Sequence, residues 1–321
     1  MTPELVVMSH IVNETIKFPD RVIEGVLGSP TAYASVAAAR LGMSTGVVTK
    51  IGTDIPSNFL KAFEEANIDT RGIKVEGRNT THSLLTYDES GNKEILYPKK
   101  APPLLFGDIP QEYLDAEIVY ICPMDHEVSI ETVKSLYREG ATLAVDLGGY
   151  GGAHSSKHPG DKEKKTLKIT GELVRHFHIV KVSSEDCRYL FGAKEGMEEE
   201  IAELIVELGA KISIVTVGER GSFISSKKGT FRMSALPSQV KDCTGAGDAY
   251  MAGFLVEYLR TRDVWKSALF ASATASIVIE GTGGVVAGRM PTISEVRKKI
   301  SRVSLKNHEK AKYPLTIKKK G

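Results

Sequence analysis

The stretch Lys241–Tyr250 reads KDCTGAGDAY and runs directly into the apolar stretch Met251–Leu259. Two glycines around one alanine let the backbone approach a ligand closely, and here they stand where a helix is expected to begin. The amides of Gly245, Ala246 and Gly247 would then point at an anion, with the helix dipole adding its field. The segment therefore predicts a site for a phosphate group.

Asp248 follows these glycines directly, so its carboxylate would stand beside the anion. General-base chemistry gives one reason for this placement, because the carboxylate can accept the proton of a substrate hydroxyl that attacks a phosphoryl group. The alternative is an aspartate in the first helical turn that stabilises the helix end. The chain lacks a P-loop GxxxxGK[ST], and Gly218–Gly221 is too short for a dinucleotide-binding fingerprint. A phosphate site would therefore be built from residues 245–248.

The composition is that of a soluble globular protein, with 321 residues, 41% of them hydrophobic and 26% charged. The three cysteines, Cys122, Cys187 and Cys243, stand at no metal-ligand spacing, so we expect neither a zinc site nor a disulfide framework. Met1–His10 lacks the features of a signal peptide, and Ser267–Ile279 is too short to span a bilayer. We expect a cytoplasmic protein that does not enter a membrane.

The charge is unevenly distributed along the chain. Residues 297–321 hold ten lysines and arginines and one acid, which leaves 32 bases and 39 acids in residues 1–296. A basic terminus can bind nucleic acid, but a solvated tail is the more common outcome. We therefore predict one domain over residues 1–304 and a basic tail over 305–321 that does not serve nucleic-acid binding.

Short apolar runs alternate with helical patterns through the middle of the chain. The runs Thr142–Asp146, Phe177–Val182 and Ile212–Val217 are rich in β-branched residues, as in strands that are buried on both faces. Helical patterns cover Glu127–Glu139 and Glu198–Leu208. This alternation predicts an α/β fold with a doubly wound, mostly parallel sheet flanked by helices.

Two segments interrupt this alternation. His82–Leu85 and Glu94–Tyr97 flank a turn-forming DESGN sequence, and Ile11–Ile23 alternates apolar and polar residues. Strands within about residues 11–24 and 80–100 could form a small antiparallel sheet that acts as a lid, although an ordinary edge hairpin fits the pattern equally well. Between these segments, Ser29-Pro30 predicts the start of a helix over Thr31–Leu41.

The motif around Asp248 resembles the D-T-x-G-A-G-D signature of the ribokinase-like (PfkB) sugar and nucleoside kinases, with Cys243 where threonine is common. The resemblance extends from Leu5 to about Ile300, and its further motifs come in the family's order. They are Gly28-Ser29 with Ala37–Gly42, Ile51–Asp54, Thr216–Gly221 and Met290–Thr292. The resemblance implies a ribokinase-like fold and a kinase that phosphorylates an alcohol group.

The resemblance also implies roles for individual residues. Asp248 is the expected catalytic base, and Gly245, Ala246 and Gly247 form the expected anion hole. The family's N-x-x-E motif falls on Ser183–Asp186, where both end residues differ, so Asp186 would hold Mg²⁺ through water unless Glu185 does so or the pair only caps a helix. The expected ATP-binding residues are Ser183, Asp186, Thr216, Gly218, Gly221, Gly245 and Gly247.

Two further sites follow from the same resemblance. Many members bind a monovalent cation beside the anion hole, and Asp242, with the loop Glu280–Gly284, stands at the matching positions for K⁺. The acceptor would lie beneath the lid, where the aromatic ring of Tyr33 can stack on a ring face. The expected acceptor-binding residues are Asn13, Glu14, Gly28, Ser29, Tyr33 and Asp248.

The predicted function is transfer of the γ-phosphoryl group of ATP, with Mg²⁺, to a hydroxyl of a small sugar, an inositol-like polyol or a nucleoside. The alternatives are a kinase specific for nucleosides and a family member that binds a ligand without catalysis, as a sensor. A homodimer that pairs through the lid is also expected from the family.

Overall fold

Thirteen strands and their connecting helices are described in the computed structural model, which covers residues 2–89, 93–156 and 170–308. In chain order the strands are β1 (Leu5–Met8), β2 (Val12–Lys17), β3 (Val22–Gly28), β4 (Thr45–Ile51), β5 (Asp69–Val75), β6 (Thr81–Tyr87), β7 (Lys93–Lys99), β8 (Ile118–Ile121), β9 (Leu143–Asp146), β10 (Ile179–Ser183), β11 (Ile212–Thr216), β12 (Ser222–Ser226) and β13 (Gly229–Met233).

The main sheet has the strand order β13-β12-β11-β10-β9-β8-β1-β4-β5 among the described residues. The strands from β11 to β5 in this order pair in parallel, while β12 and β13 form an antiparallel edge. Successive residues of β1 face opposite sides, with Leu5 and Val7 in one core and Val6 and Met8 in the other. The predicted doubly wound sheet is confirmed, and its strands are buried on both faces as their β-branched runs indicated.

Helices cover both faces of this sheet. The helices are α1 (Pro30–Arg40), α2 (Lys61–Glu65), α3 (Ile130–Arg138), α4 (Ser184–Phe191), α5 (Glu198–Glu207), α6 (Ala246–Thr261), α7 (Val264–Val278) and α8 (Ile293–His308), and residues 170–174 are also helical. Ser29 caps α1 by accepting the N–H of Ala32 at 3.2 Å, with Pro30 at the first helical position as predicted. The helix after the glycine motif begins at Ala246, so the motif itself forms its first turn.

A second, smaller sheet has the order β3-β2-β6-β7. The pairs β2–β3 and β6–β7 are antiparallel, and they are joined by a parallel pairing of β2 with β6. The predicted separate sheet is therefore confirmed as two antiparallel pairs fused side by side. Its strand β3 extends beyond the expected boundary to Gly28, where it leads into α1 through Ser29.

The C-terminal helix α8 continues through His308, so residues 305–308 of the predicted tail are helical, while 309–321 lie outside the described residues. None of the helices in the described part of the chain combines the length and the apolar character that crossing a bilayer requires.

Candidate active site

The carboxyl ends of three neighbouring parallel strands place polar side chains along one edge of the main sheet. Lys181 of β10 is in register with Asp146 at the end of β9, and Ser183 is in register with Thr216 of β11. Helix α6 begins beside these residues, since a methyl group placed on Gly247 would lie 3.1 Å from Lys181 Nζ. The glycine motif and this sheet edge therefore form one site, which is where open α/β sheets bind their ligands.

The backbone of the glycine motif is held in a conformation that few residues adopt. Gly245 has φ +76°, and a Cβ built there would lie 2.2 Å from the ring of Tyr33. Ala246 donates its N–H to the carbonyl of Cys243 at 3.1 Å, which closes a turn. The N–H groups of Gly247 and Asp248 lie in the first turn of α6, where a helix offers its amides no carbonyl four residues earlier. The structure thus favours the amides of Gly247 and Asp248 over that of Ala246 as anion donors.

Replacing Gly245 with alanine should destabilise the fold and displace this loop. The left-handed backbone costs an alanine about 1–2 kcal/mol, and the clash with Tyr33 adds about 1–3 kcal/mol of overpacking. The matched control is Gly140→Ala, because Gly140 has φ +85° and a Cβ added there would meet no heavy atom within 4 Å. Urea unfolding should show the larger loss for Gly245→Ala, and equal losses would contradict the proposed contact.

The carboxyl group of Asp248 has a strongly perturbed pKa. Protein surrounds most of the group, although part of the residue still reaches solvent. Burial raises its pKa from 3.8 to about 7, the positive charge of Lys181 opposes that rise, and the negative charge of Asp146 adds to it. A carboxyl group with a pKa near neutrality can both accept and release a proton at physiological pH, as a general base requires.

Lys181 is a site residue that the sequence analysis missed. Its side chain is buried and its ammonium group pairs with Asp146 at 2.6 Å. Burial alone would lower the pKa of Lys181, but the carboxylates of Asp146 and Asp186 more than offset this, so the pKa is raised and the group stays charged. The signal in the sequence is a lysine within the otherwise apolar run FHIVKV, since a buried lysine needs a partner.

Ser183 and Asp186 form the capping box of α4. Asp186 Oδ2 accepts the N–H and the hydroxyl of Ser183, at 2.8 and 2.6 Å, and its Oδ1 accepts the N–H of Ala153 at 2.9 Å. Burial would raise the pKa of Asp186, but Lys181 and Ser183 lower it overall. Asp186 is only 1% exposed, whereas Glu185 is exposed. Ser183 and Asp186 therefore make the capping contacts of the helix-capping alternative, the magnesium role of Asp186 stays a prediction, and Glu185 is the carboxylate of this turn that is exposed to solvent.

The predicted nucleotide-binding turn follows β11 at the same edge of the sheet. Gly218–Arg220 forms a single 3-10 turn, and Val217 donates its N–H to the carbonyl of Gly221 at 2.8 Å. A Cβ on Gly221, which has φ +94°, would lie 2.0 Å from the carbonyl oxygen of Met233. Backbone packing thus requires a glycine at position 221, whereas a Cβ added to Gly218 would meet no heavy atom within 4 Å.

Three of the predicted acceptor-binding residues come together on the small sheet. Asn13 and Glu14 lie on β2, and Gly28 pairs with Val12 across the β2–β3 ladder. Glu14 is buried and accepts the hydroxyl of Ser83 at 3.1 Å. The buried Oδ1 of Asn13 has no hydrogen-bond partner among the described residues. A buried amide oxygen without a partner is costly, so it marks a place where a ligand hydroxyl would be favourable.

Ser29 and Tyr33 connect the small sheet to the glycine motif. Ser29 has φ +103°, a conformation that a serine adopts only at a cost and that glycine takes freely, and it stands where the family resemblance expects a glycine. Tyr33 is 3% exposed, with its ring against Gly245 and its hydroxyl 3.3 Å from Arg289 Nη1. Tyr33 therefore packs against the glycine motif and supports it, in addition to any contact with an acceptor.

A cavity of about 710 Å³ opens between the small sheet, α2 and the segment that precedes α6. Apolar side chains form much of its wall. Where the cavity reaches the edge of the glycine motif, its wall includes Glu14, Tyr33, Asp242 and Thr244. Its lining residues are Glu14, Ile16, Ile23, Gly25, Val26, Leu27, Tyr33, Asn58, Phe59, Lys61, Ala62, Glu65, Asp242, Thr244 and residues 283–286. The cavity is large enough for a small-molecule ligand, but Asp248 is not part of its lining.

Comparison with known proteins shows the family of this chain. Residues 28–291 match the pfkB family carbohydrate kinase profile. The chain belongs to the pfkB carbohydrate kinase family. The matched region contains the helix that carries Tyr33, strands β4 to β13 and the motif at Gly245–Asp248. This kinase is therefore a phosphotransferase that acts on an alcohol group of a carbohydrate, nucleoside or polyol.

Three relatives illustrate the range of this kinase's family. The cytidine kinase of Thermococcus kodakarensis is 30% identical over 267 residues, which is 81% of this chain and 90% of the relative. The structure of Arabidopsis thaliana ribokinase with ribose and ATP has a TM-score of 0.74 at 21% identity, covering 94% of this chain and 99% of that one. The Methanocaldococcus jannaschii nucleoside kinase structure has a TM-score of 0.71 at 20% identity and covers 94% and 100%. These structures share the ribokinase fold.

Proposed function

We propose that this kinase transfers the γ-phosphoryl group of ATP to a hydroxyl of a small sugar, a polyol or a nucleoside, with Asp248 as the general base. The observation that carries the proposal is the carboxyl group of Asp248, whose pKa is raised to about 7 beside the start of α6 and the ammonium group of Lys181. An aspartate that only stabilised a helix end would be expected to have a lowered pKa.

In this mechanism the oxygen of the acceptor hydroxyl attacks the γ-phosphorus and gives its proton to Asp248, while the bond from the γ-phosphorus to the β,γ-bridging oxygen breaks and ADP leaves. The first-turn amides of α6 and the ammonium group of Lys181 stabilise the negative charge of the transferring group. Lys181 suits this role because Asp146 holds it in place at 2.6 Å, so little reorganisation is needed as the charge shifts. Closure of the small sheet over the acceptor would exclude water, which would otherwise compete as a nucleophile.

The described residues fit Mg²⁺ only as an ion that arrives with the nucleotide. They contain no cluster of three or more acidic, histidine or cysteine side chains that would hold a metal ion by themselves. Mg²⁺ commonly uses phosphate oxygens, water and one or two carboxylates, and when bound it neutralises phosphate charge. Glu185 would be that carboxylate, because its side chain is exposed, whereas Asp186 is buried and engaged in the capping box.

On the acceptor side, the proposal assigns hydroxyl recognition to Asn13 and Glu14. Glu14 lies on the same face of β2 as the apolar residues Val12 and Ile16, whereas Asn13 lies on the opposite face. The Oδ1 of Asn13, which has no hydrogen-bond partner in the described part of the chain, can accept a hydroxyl hydrogen, and this suits a substrate that carries several neighbouring hydroxyls. Sugars, inositols and the ribose of nucleosides all meet this requirement.

A coupled ADP-release screen across pentoses, hexoses, inositols and nucleosides tests the proposed function. The Asp248→Asn protein is the blank, because it keeps the pocket and loses the base. We expect one acceptor class to give turnover that the blank lacks. Equal ADP release by both proteins with every acceptor would contradict the proposal.

The pH dependence of the reaction offers a separate test. Because the pKa of Asp248 is about 7, the base is protonated below neutrality. We expect kcat/KM to fall tenfold per pH unit on the acid side, with an apparent pKa near 7. A profile that stays flat down to pH 5 would show that this carboxyl group does not act as the base.

The nucleoside-specific alternative has support of its own, because the Thermococcus cytidine kinase is 30% identical over 81% of this chain. Protection from thermal unfolding by nucleosides, and not by pentoses or inositols, would favour it. The sensor alternative, which the altered Ser183–Asp186 motif suggests, stays open, and turnover with any acceptor in the ADP-release screen would contradict it. Homodimerisation through the small sheet stays a proposal, and the exposed Val22, Ile23 and Leu96 lie on that sheet.

A further inference from the structure

The side chain of Arg289 is buried beneath the glycine motif, where it binds backbone carbonyls from three segments. Its Nη2 donates to the carbonyls of Asp242 and Thr244 at 2.9 and 3.0 Å, and its Nε donates to that of Val278 at 3.1 Å. Its Nη1 lies 3.3 Å from both the carbonyl of Gly284 and the hydroxyl of Tyr33. The carboxylate of Asp242 completes the arrangement at 3.3 Å.

These acceptors are the ones that a monovalent cation would need. Backbone carbonyl oxygens, which are the usual ligands of K⁺, converge here together with one carboxylate. The family resemblance implies a K⁺ site at Asp242 and the loop Glu280–Gly284. In the structure the guanidinium group of Arg289 uses the oxygens of Asp242 and Gly284 from both of these segments. An additional cation does not fit, because the oxygens that would bind it are already bound to Arg289, and the guanidinium group would repel a second positive charge.

The surroundings of Arg289 are shaped to admit its side chain. A Cβ on Gly281 would lie 2.9 Å from Arg289 Cγ, so glycine leaves the space that the side chain fills. The guanidinium carbon also lies 5.7 Å from the centre of the Tyr33 ring, which in turn packs on Gly245. Arg289 thus holds the start of the motif through hydrogen bonds to the carbonyls of Asp242 and Thr244, and it supports the motif further through its contact with Tyr33.

We propose that Arg289 is a built-in replacement for the monovalent cation, which positions the anion-binding loop and makes this kinase independent of K⁺. The inference rests on the proposed function of that loop. The guanidinium group supplies the positive charge and binds the carbonyls that a dissociable ion would otherwise bind, and it does so at any salt composition. Arg289 is a positioning residue, because it touches the loop and not the reacting atoms.

Exchange of K⁺ for tetramethylammonium at constant ionic strength tests the inference on the unmodified protein. Tetramethylammonium is too large for a carbonyl-lined site, so an enzyme that needs K⁺ loses activity in it. We expect kcat, KM for ATP and the melting temperature to be the same in both salts. A rise in kcat of tenfold or more with K⁺, or a K⁺-specific rise in melting temperature, would overturn the proposal.

Arg289→Ala should create the dependence that the natural chain lacks. In tetramethylammonium we expect kcat to fall about 10²-fold, the size of losing one group that stabilises the transferring charge. K⁺ or guanidinium ion should restore part of this activity, because the vacated carbonyls can bind either ion. Unchanged kcat in every salt would contradict a positioning role, and a loss that neither ion relieves would contradict a cationic one.

The matched control is Arg40→Ala. Arg40 donates to the carbonyl of Met290 at 3.4 Å, so it contacts the same segment without touching the motif, and its removal should produce no cation dependence. If Arg289→Ala does not fold, Arg289→Lys serves instead, with a smaller loss and the same response to K⁺. The melting temperatures in the two salts test the replacement of K⁺ by Arg289 separately from the proposed kinase function. They report on K⁺ binding even if no acceptor is phosphorylated.

Discussion

Turnover of the Asp248→Asn protein should fall about 10⁴-fold, near the upper range for removing a general base. The asparagine keeps the size of the side chain but cannot accept the proton of the acceptor hydroxyl. The affinity for nucleotide should change little, because the first-turn amides of α6 and Lys181 remain in place. Single-turnover kinetics with the identified acceptor measures the loss, and titration of nucleotide in the absence of acceptor measures the binding.

The same substitution should stabilise the fold at neutral and alkaline pH. The pKa of Asp248 is 3.8 in the unfolded chain and about 7 in the folded protein, so between these values the folded state binds a proton that the unfolded state has lost. Unfolding free energy therefore decreases as pH rises from about 4 to 7, and the loss is complete above the folded pKa. The uncharged asparagine removes this loss of unfolding free energy. The Asp248→Asn protein should therefore be no more stable than the natural chain below pH 4, and the gain in its unfolding free energy should be largest above pH 7.

Glu295→Gln is the matched control for this stability measurement. Glu295 lies in the first turn of α8, where hydrogen bonds from the backbone and side chain of Thr292 lower its pKa. Its ionised form stabilises the fold above the unfolded pKa, so the glutamine should be less stable at pH 8. Urea unfolding at pH 8 should thus shift in opposite directions for the two variants. A destabilised Asp248→Asn protein would instead support the helix-end role for Asp248.

Lys181→Met should cause the second large loss, with kcat falling about 10²–10³-fold as expected when a group that stabilises transition-state charge is removed. The methionine fills a similar volume and cannot stabilise the transferring phosphoryl group. It also leaves Asp146 as a buried carboxylate without its ion pair, which typically costs about 3–5 kcal/mol of stability. Steady-state kinetics and urea unfolding measure the two losses separately.

The double variant Asp146→Asn/Lys181→Met distinguishes a catalytic lysine from a structural one. Asparagine can still accept the N–H of Gly148, which Asp146 Oδ1 accepts at 3.1 Å, and it removes the unpaired charge. We expect most of the lost stability to return while kcat stays low. Recovery of kcat together with stability would show that Lys181 only holds the sheet edge together.

The sequence was sufficient to predict those parts of the fold that follow from local patterns. The β-branched runs around Ile179–Ser183 and Ile212–Thr216 are buried strands, and Ser29-Pro30 begins α1. The parallel pairing of β2 with β6 was not predicted, because the hairpin signals at each end report only antiparallel neighbours. Its register depends on contacts between segments that lie far apart in the chain.

The candidate site was predicted where one continuous motif carries it, as at Gly245–Asp248. Lys181 and Arg289 escaped prediction because their roles depend on partners far away in the chain. Lys181 pairs with Asp146, which lies 35 residues away in the sequence, and Arg289 contacts Tyr33, which lies 256 residues away. Asp186 shows the converse limit, since the local pattern was sufficient to suggest a helix cap, which the structure contains, while the metal-water role stays a prediction.

The ring of Tyr33 against Gly245 has a consequence for how the two substrates influence each other. Strand β3 ends at Gly28, one of the predicted acceptor contacts, and runs through Ser29 into the helix that holds Tyr33. A shift of the small sheet on acceptor binding would therefore press on the loop that receives the donor. Binding linkage is reciprocal, so the factor by which acceptor changes nucleotide affinity equals the factor by which nucleotide changes acceptor affinity. We therefore expect the contact between Tyr33 and Gly245 to couple the binding of the two substrates.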